Sequence, residues 1–189
     1  MHYLDYAATT PVPAEVAQAM AAVLTEHYGN PSSQYELGRR AKDLVNRSRA
    51  VVAGALGCAP EQLFFTSCGT EGDNWAIRAA LYQNRRVGRH IVTTAVEHSA
   101  VLQCVKRLEQ EGCSATYLKP DNAGRITAEQ VADALREDTA LVSIMLVNNE
   151  TGVRFPVEEV AALLQDRPTL LHTDAVQGFL KVPFTVKKS

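Results

Sequence analysis

The sequence of 189 residues is 46% hydrophobic and 21% charged, and its formal net charge is −2. This composition is typical of a globular protein with a sizeable hydrophobic core, and the near-neutral charge does not favour a nucleic-acid partner. No apolar run approaches the roughly 20 residues that span a bilayer, and the N-terminal residues lack the pattern of a signal peptide. We therefore expect a cytoplasmic protein with no nucleic-acid partner and no membrane partner.

Four cysteines are present, and none of them forms a Cys-x-x-Cys pair. A zinc site is therefore unexpected, and we expect no metal. Disulfides are rare in cytosolic proteins, so the cysteines are expected to be free thiols that are buried or half-buried. They are Cys58, Cys68, Cys104 and Cys113.

Helical and strand-like patterns alternate along the chain. In the first helix, Val16, Met20 and Val23 recur at helical spacing, and Gly57 is placed to end the second helix. Thr127 followed by Gln130 matches a capping box that opens a later helix. The helices are predicted over residues 14–27, 37–56, 72–82, 100–111, 127–136 and 157–165, and the strands over residues 63–66, 90–94, 115–118, 140–147 and 169–172.

This alternation predicts an α/β fold in which a three-layer, mostly parallel sheet carries helices on both faces. In such sheets, ligands bind beyond the carboxyl ends of the strands. Polar clusters follow four of the predicted strands, and their convergence at one edge predicts a binding site. The clusters are Ser67–Glu71, Glu97–His98, Asn148–Glu150 and Thr173–Asp174.

The first of these clusters suits a phosphate group. Gly69 lies in a turn before a predicted helix, where backbone N–H groups and the helix dipole attract anions, and Thr70 adds a hydroxyl donor. The same residue types are common in ordinary helix caps, so this segment alone leaves both interpretations open. The sequence has neither G-x-G-x-x-G nor a P-loop lysine, which disfavours dinucleotides and nucleoside triphosphates.

The other clusters supply groups that suit a flat cofactor ring. His98 could stack on the ring or move protons, and Asn149 offers an amide at the end of the most apolar strand. Asp174 needs a positive or proton-bearing partner at a buried strand end, and a protonated pyridine nitrogen is such a partner. Gln177, one helical turn further, could reach the same ring. A packing histidine and a turn-capping asparagine are the alternatives, but the features together predict a pyridoxal 5′-phosphate (PLP) site.

Six segments resemble, in order and spacing, the landmarks of the cysteine desulfurases of the NifS/IscS type, which belong to the class V aminotransferases. They cover essentially the whole chain and match the N-terminal portion of that family. The segments are LDYAATTP at residues 4–11, GNPSS at 29–33, FTSCGTEGDN at 65–74, EHSAV at 97–101, VNNETG at 147–152 and HTDAVQ at 172–177.

The resemblance implies a PLP-dependent enzyme built on the large domain of the type I aminotransferase fold. Residues 1–12 are expected to form an N-terminal arm, and residues 13–189 an incomplete large domain. The family reaction converts L-cysteine to L-alanine and places the sulfur on an enzyme cysteine as a persulfide. A sulfur-acceptor protein then receives it for iron–sulfur cluster or thio-cofactor assembly. Full-length relatives are homodimers, so a homodimer is expected of a full-length chain.

The resemblance also implies a role for each site residue. His98 is expected to stack on the ring and assist proton transfer, which makes it the expected catalytic residue. Asp174 is expected to hold the pyridine nitrogen protonated. The remaining cofactor contacts are expected from Gly69 and Thr70 at the phosphate, Asn149 at the ring hydroxyl and Gln177 at the ring.

Three features depart from the family pattern. Tyr35 stands where histidine is usual, and Cys68 stands where glycine is usual. The family's Ser-Gly-His-Lys motif is absent from the 189 residues, and Lys187 and Lys188 do not match it. We therefore expect this chain to be inactive alone, whether as part of a longer enzyme, as one half of a split enzyme or as a non-catalytic assembly partner. A selenocysteine lyase or another class V aminotransferase is the alternative within the family.

Overall fold

The computed structural model describes residues 2–186, so Lys187 and Lys188 lie outside the described residues. The described chain forms two compact units, one of residues 2–65 with 182–186 and one of residues 66–181. The division into an arm over residues 1–12 and one domain thereafter stays a prediction. The first unit holds α1 (Ala14–Glu26), α2 (Glu36–Leu56) and a 3-10 helix (Pro60–Gln62). The second unit holds α3 (Gly69–Gln83), β1 (His90–Thr94), α4 (Ser99–Gln110), β2 (Ser114–Leu118), α5 (Ala128–Ala134), β3 (Thr139–Ser143), α6 (Val157–Leu163) and β4 (Leu170–His172).

Local sequence signals set the helix ends of the first unit. Gly57 ends α2 in the left-handed region, with φ at 73°, as the sequence predicts. Near the start of α2, Gly38 allows a close approach of two backbone segments, because a Cβ there would lie 2.4 Å from the carbonyl oxygen of Ser33. Tyr35 precedes the helix and is exposed.

The strand predicted over residues 63–66 is wrong. These residues form no strand, and Phe64 and Phe65 are 66% and 54% exposed. The carbonyl oxygen of Leu63 accepts a hydrogen bond from the guanidinium of Arg49, which also lies over the ring of Phe65 at 4.8 Å. The apolar segment therefore contacts Arg49 of α2, whereas a buried strand would pair with a neighbouring strand.

The second unit is built on a four-stranded, wholly parallel sheet with the order β2-β1-β3-β4. The chain moves from β1 outward to β2 and then crosses back to place β3 on the other side of β1. Strand order therefore reverses at the β1–β3 pair. In open parallel sheets, the crevice at the carboxyl ends of such a pair is the usual place for a ligand.

Alternate residues of the strands face two separate helical layers. Ile91 and Leu141 pack against α3 and α4, whereas Val92 and Val142 pack against α5 and α6. Each fully buried side chain of this size stabilises the fold by about 1.5–3 kcal/mol. The three-layer α/β fold is thus confirmed. Within residues 2–186, no helix is long and apolar enough to cross a membrane.

The strand predicted over residues 140–147 ends earlier, at Ser143. Residues 144–146 stay fully buried and continue to bond toward the segment that follows β4. The N–H of Ile144 donates to the carbonyl oxygen of His172 at 3.1 Å, and that of Leu146 donates to the carbonyl oxygen of Asp174 at 2.8 Å. The chain after β3 is therefore fixed although it is no longer a regular strand.

Candidate active site

The predicted site residues all lie in the second unit, at the carboxyl ends of the strands and the N-terminus of α3. His98 follows β1, Asn149 follows β3, and Asp174 and Gln177 follow β4. The start of α3 reaches the segment after β4, because a Cβ on Gly69 would lie 3.2 Å from Cγ2 of Val176. The sheet edge therefore brings the predicted phosphate turn beside the predicted ring-nitrogen partner.

The helix α3 begins at Gly69, three residues earlier than predicted, so Gly69 and Thr70 belong to its first turn. Both residues are exposed, and the first-turn N–H groups of an α-helix have no partner within the helix. The carboxylate of Glu71 accepts hydrogen bonds from both the hydroxyl and the N–H of Ser67, each at 2.6 Å. Those bonds lower the pKa of Glu71 and fix the turn that enters the helix.

Cys68 is exposed, which corrects the expectation of a buried or half-buried thiol. It is the residue directly before α3, and its backbone is extended. The N–H of Glu71, followed by the hydroxyl of Ser67, lowers the pKa of this thiol. A thiol of lowered pKa therefore sits at the anion-attracting end of the helix.

His98 caps the start of α4 with its side chain. Its Nδ1 accepts a hydrogen bond from the N–H of Ala100 at 3.2 Å, while the residue itself is exposed. In the neutral imidazole, the proton must then reside on Nε2, because Nδ1 is the acceptor. The cap fixes both the tautomer and the direction of the ring.

The two asparagines after β3 have separate roles, which the sequence did not distinguish. Asn148 is buried, and its Oδ1 accepts from the N–H groups of Glu150 and Thr151 at 3.0 and 2.9 Å. Asn148 therefore builds the turn. Asn149 is half-buried, and its Nδ2 donates to Oε1 of Glu150 at 2.9 Å. The turn thus holds Asn149 at the sheet edge, where the sequence predicted it.

Asp174 is 9% exposed, and its carboxylate accepts a hydrogen bond from the N–H of Val176 at 2.9 Å. Burial raises its pKa, and the nearby charge of Asp73 adds to the rise, whereas the N–H of Val176 opposes it. A cationic partner would stabilise the negative charge of a carboxylate buried in this way. Gln177 is half-buried and accepts a hydrogen bond from Nζ of Lys181 at 2.8 Å, so its amide oxygen is already engaged.

Sequence reasoning missed the buried polar residues that lie behind the predicted site. His172 lies between Ser143 and Asp73, with its Nδ1 2.9 Å from the Ser143 hydroxyl and its Nε2 3.5 Å from Oδ1 of Asp73. Asp73 precedes Ile77 by four residues, on the face of α3 that packs on the sheet. That spacing was the available signal for its burial.

Glu97 lies in the predicted Glu97–His98 cluster, but the sequence did not predict its burial. It is 5% exposed and lies directly before His98. Burial raises its pKa from the ordinary value of 4.5 to about 8, against hydrogen bonds from the Thr94 hydroxyl and the Met145 N–H. Its neighbour Asp174 contributes to the same rise. The site therefore contains one carboxyl group that holds a proton at neutral pH beside another whose pKa is raised. In the part of the chain that the structure describes, no group of three or more His, Cys, Asp or Glu residues is arranged to hold a metal ion.

Comparison with known proteins identifies the family. The aminotransferase class-V model matches residues 2–189, and the chain belongs to this family. It is 45% identical over 186 residues to the cysteine desulfurase IscS of Methanosarcina thermophila. The matching region covers 98% of this chain and 46% of that protein. The chain thus spans about half the length of the curated relatives it matches.

Solved structures agree with this assignment. A NifS-like protein matches with a TM-score of 0.92 and 39% identity, over 97% of this chain and 51% of the other. The structure titled "SspA in complex with cysteine" matches with a TM-score of 0.91 and 34% identity, over 96% of this chain and 52% of the other. The chain therefore shares the fold of the matching half of these NifS-like structures.

Proposed function

We propose that this chain supplies the PLP-binding part of a cysteine desulfurase, which converts L-cysteine to L-alanine and passes on the sulfur. The observation that carries the proposal is the buried Asp174 beside the exposed first turn of α3. The carboxylate of Asp174 favours a cationic partner, whereas the N–H groups of the first turn of α3 favour an anion. A phosphorylated pyridine has both in one molecule.

The donor set fits PLP on the chemistry of its residues. The first turn of α3 and the Thr70 hydroxyl offer hydrogen-bond donors to a phosphate, and the 15-residue helix adds the positive end of its dipole. A side chain in place of Gly69 would be pressed against Val176, so the glycine keeps the turn open. When bound, PLP would supply an electron sink for the bonds around the substrate's α-carbon.

Asp174 would keep the proton on the ring nitrogen. Its carboxylate is already oriented by the N–H of Val176, and burial makes its negative charge costly without a partner. A protonated pyridine nitrogen removes that cost, so the pairing stabilises both charges.

His98 would lie on the ring face and carry protons during the reaction. The cap on Nδ1 leaves Nε2–H as the group that can exchange a proton with substrate. Asn149 would contact the ring hydroxyl, and Gln177 would contact the ring after its bond to Lys181 is exchanged.

The remaining parts of the function follow from the family. The names of the curated relatives favour cysteine as the substrate over selenocysteine. Sulfur transfer through an enzyme persulfide to an acceptor protein, iron–sulfur cluster assembly, a homodimer and a cytoplasmic location belong to this same proposal. We infer that the 189 residues are inactive without a lysine from a Ser-Gly-His-Lys motif.

The test uses pyridoxamine 5′-phosphate, which carries the phosphate, the ring hydroxyl and the pyridine nitrogen but has no aldehyde to react with lysines. Fluorescence titration of the chain should show saturable binding at one site. Asp174→Asn should weaken binding by roughly 10- to 100-fold, the range expected for a lost hydrogen bond to a charged group. Asp138→Asn makes the same change at an exposed residue directly before β3, at the amino ends of the strands, and should leave the affinity unchanged. Equal affinities for wild type and Asp174→Asn would refute the assignment.

A further inference from the structure

Glu97 makes a set of contacts that the proposed roles leave unexplained. Its Oε1 accepts two hydrogen bonds, from the hydroxyl of Thr94 at 2.8 Å and from the N–H of Met145 at 3.1 Å. The Thr94 hydroxyl in turn accepts from the N–H of Val96 at 3.3 Å. One carboxyl oxygen therefore closes the turn after β1 and joins it to the backbone that follows β3.

A second hydrogen bond joins the same two segments, and here the segment after β3 supplies the side chain. Nδ2 of Asn148 donates to the carbonyl oxygen of Val96 at 3.0 Å. Glu97 thus reaches from the β1 side to Met145, while Asn148 reaches from the β3 side to Val96. We call this reciprocal pair of bonds, Glu97–Met145 and Asn148–Val96, the switch-point latch.

The latch also extends toward β4. The residue after Met145 is Leu146, whose N–H donates to the carbonyl oxygen of Asp174 at 2.8 Å. The backbone at 145–146 therefore lies between Glu97 and Asp174. His98, Asn149 and Asp174 each adjoin one of the three segments that these bonds hold together.

The charge state of Glu97 suits such a role. Its Oε2 has no hydrogen-bond partner among residues 2–186, and the charges of Asp174, after β4, and Asp73, on α3, add to the effect of burial in raising the pKa of Glu97. An ionised Glu97 would add a negative charge near these two buried carboxyl groups. The neutral carboxyl needs only its Oε1 acceptor to keep both bonds.

We propose that Glu97 is a positioning residue, which ties the end of β1 to the segment after β3 and so aligns His98 and Asn149 on one cofactor ring. This role rests on the proposed PLP site. In this role Glu97 supplies an acceptor oxygen at a fixed place. It does not contact the cofactor and takes no part in the reaction.

Two substitutions separate the acceptor oxygen from the charge and the volume. Glu97→Gln keeps an Oε1 acceptor and is neutral, whereas Glu97→Met keeps a similar volume and has no oxygen. With pyridoxamine 5′-phosphate as the probe, we expect Glu97→Gln to bind within about twofold of wild type, and Glu97→Met to bind about tenfold more weakly. Glu137→Met, at an exposed residue before β3, is the control and should bind like wild type.

Amide hydrogen exchange at Met145 gives a readout that needs no cofactor. Exchange should be slow in wild type and in Glu97→Gln, and faster in Glu97→Met, because only the last variant loses the acceptor. If Glu97→Met does not fold, Thr94→Val, which removes one of the two donors, should give a smaller loss of affinity in its place. Equal binding by Glu97→Met and wild type, or a loss in Glu97→Gln as large as that in Glu97→Met, would overturn the positioning role. Failure of wild type itself to bind the probe would instead refute the PLP site, and the Met145 exchange would still report whether Glu97 holds the latch.

Discussion

Replacing Glu97 with glutamine should change the pH dependence of stability in a direction that the burial of this carboxyl fixes. The folded chain keeps the proton on Glu97 up to a pH of about 8, whereas the unfolded chain releases it near its ordinary pKa of 4.5. Between these values the unfolded state binds fewer protons, so the free energy of unfolding falls as the pH rises. This contribution is fully present below pH 4.5 and is lost as the pH rises from there through about 8.

The magnitude follows from the same two pKa values. Ionisation of Glu97 should lower the unfolding free energy of wild type by roughly 3–4 kcal/mol between pH 5 and pH 8. Glutamine cannot ionise, so Glu97→Gln should match wild type near pH 5 and exceed it by about that amount at pH 8. Urea unfolding of both proteins at four or more pH values measures the difference, and Glu137→Gln is the exposed control. Parallel curves for wild type and Glu97→Gln would refute the burial of a protonated Glu97.

Two further predictions concern other parts of the chain. Gly88→Ala should destabilise the chain by about 3 kcal/mol or more in urea unfolding, because its Cβ would lie 2.1 Å from the backbone oxygen of Asp138, which cannot move aside. Gly54→Ala meets nothing within 4 Å in the interior of α2 and should stabilise by about 0.5–1 kcal/mol, and the reverse order of the two variants would contradict the geometry. Iodoacetamide should modify exposed Cys68, whose pKa is lowered, well before buried Cys104, whose pKa burial raises. Peptide mass spectrometry resolves the order, and earlier modification of Cys104 would contradict it.

Signals that act over a few residues are predictable from the sequence. Gly57 ends α2 in the left-handed region, and the Thr127–Gln130 capping box opens α5. Both depend on bonds within one turn, so their partners are visible in the sequence. The three-layer α/β fold was also predictable, because strands and helices alternate along the chain with clear apolar patterns.

Features that depend on distant partners were not predictable in the same way. Phe64 and Phe65 have the composition of a buried strand, but the pairing partner that a strand needs cannot be read from three apolar residues. Glu97 is a charged residue type, and only the fold shows that it is buried against Met145. The sequence also named the cluster at 148–150 without separating Asn148, which builds the turn, from Asn149, which the turn presents.

The most direct test of the central claim is a crystal structure of the chain with pyridoxamine 5′-phosphate. We predict the phosphate at the first turn of α3 beside Gly69 and Thr70, the ring nitrogen within hydrogen-bond distance of the Asp174 carboxylate, and the His98 imidazole on the ring face. A ligand bound away from the carboxyl ends of the strands, or a ring nitrogen that does not face Asp174, would contradict the account.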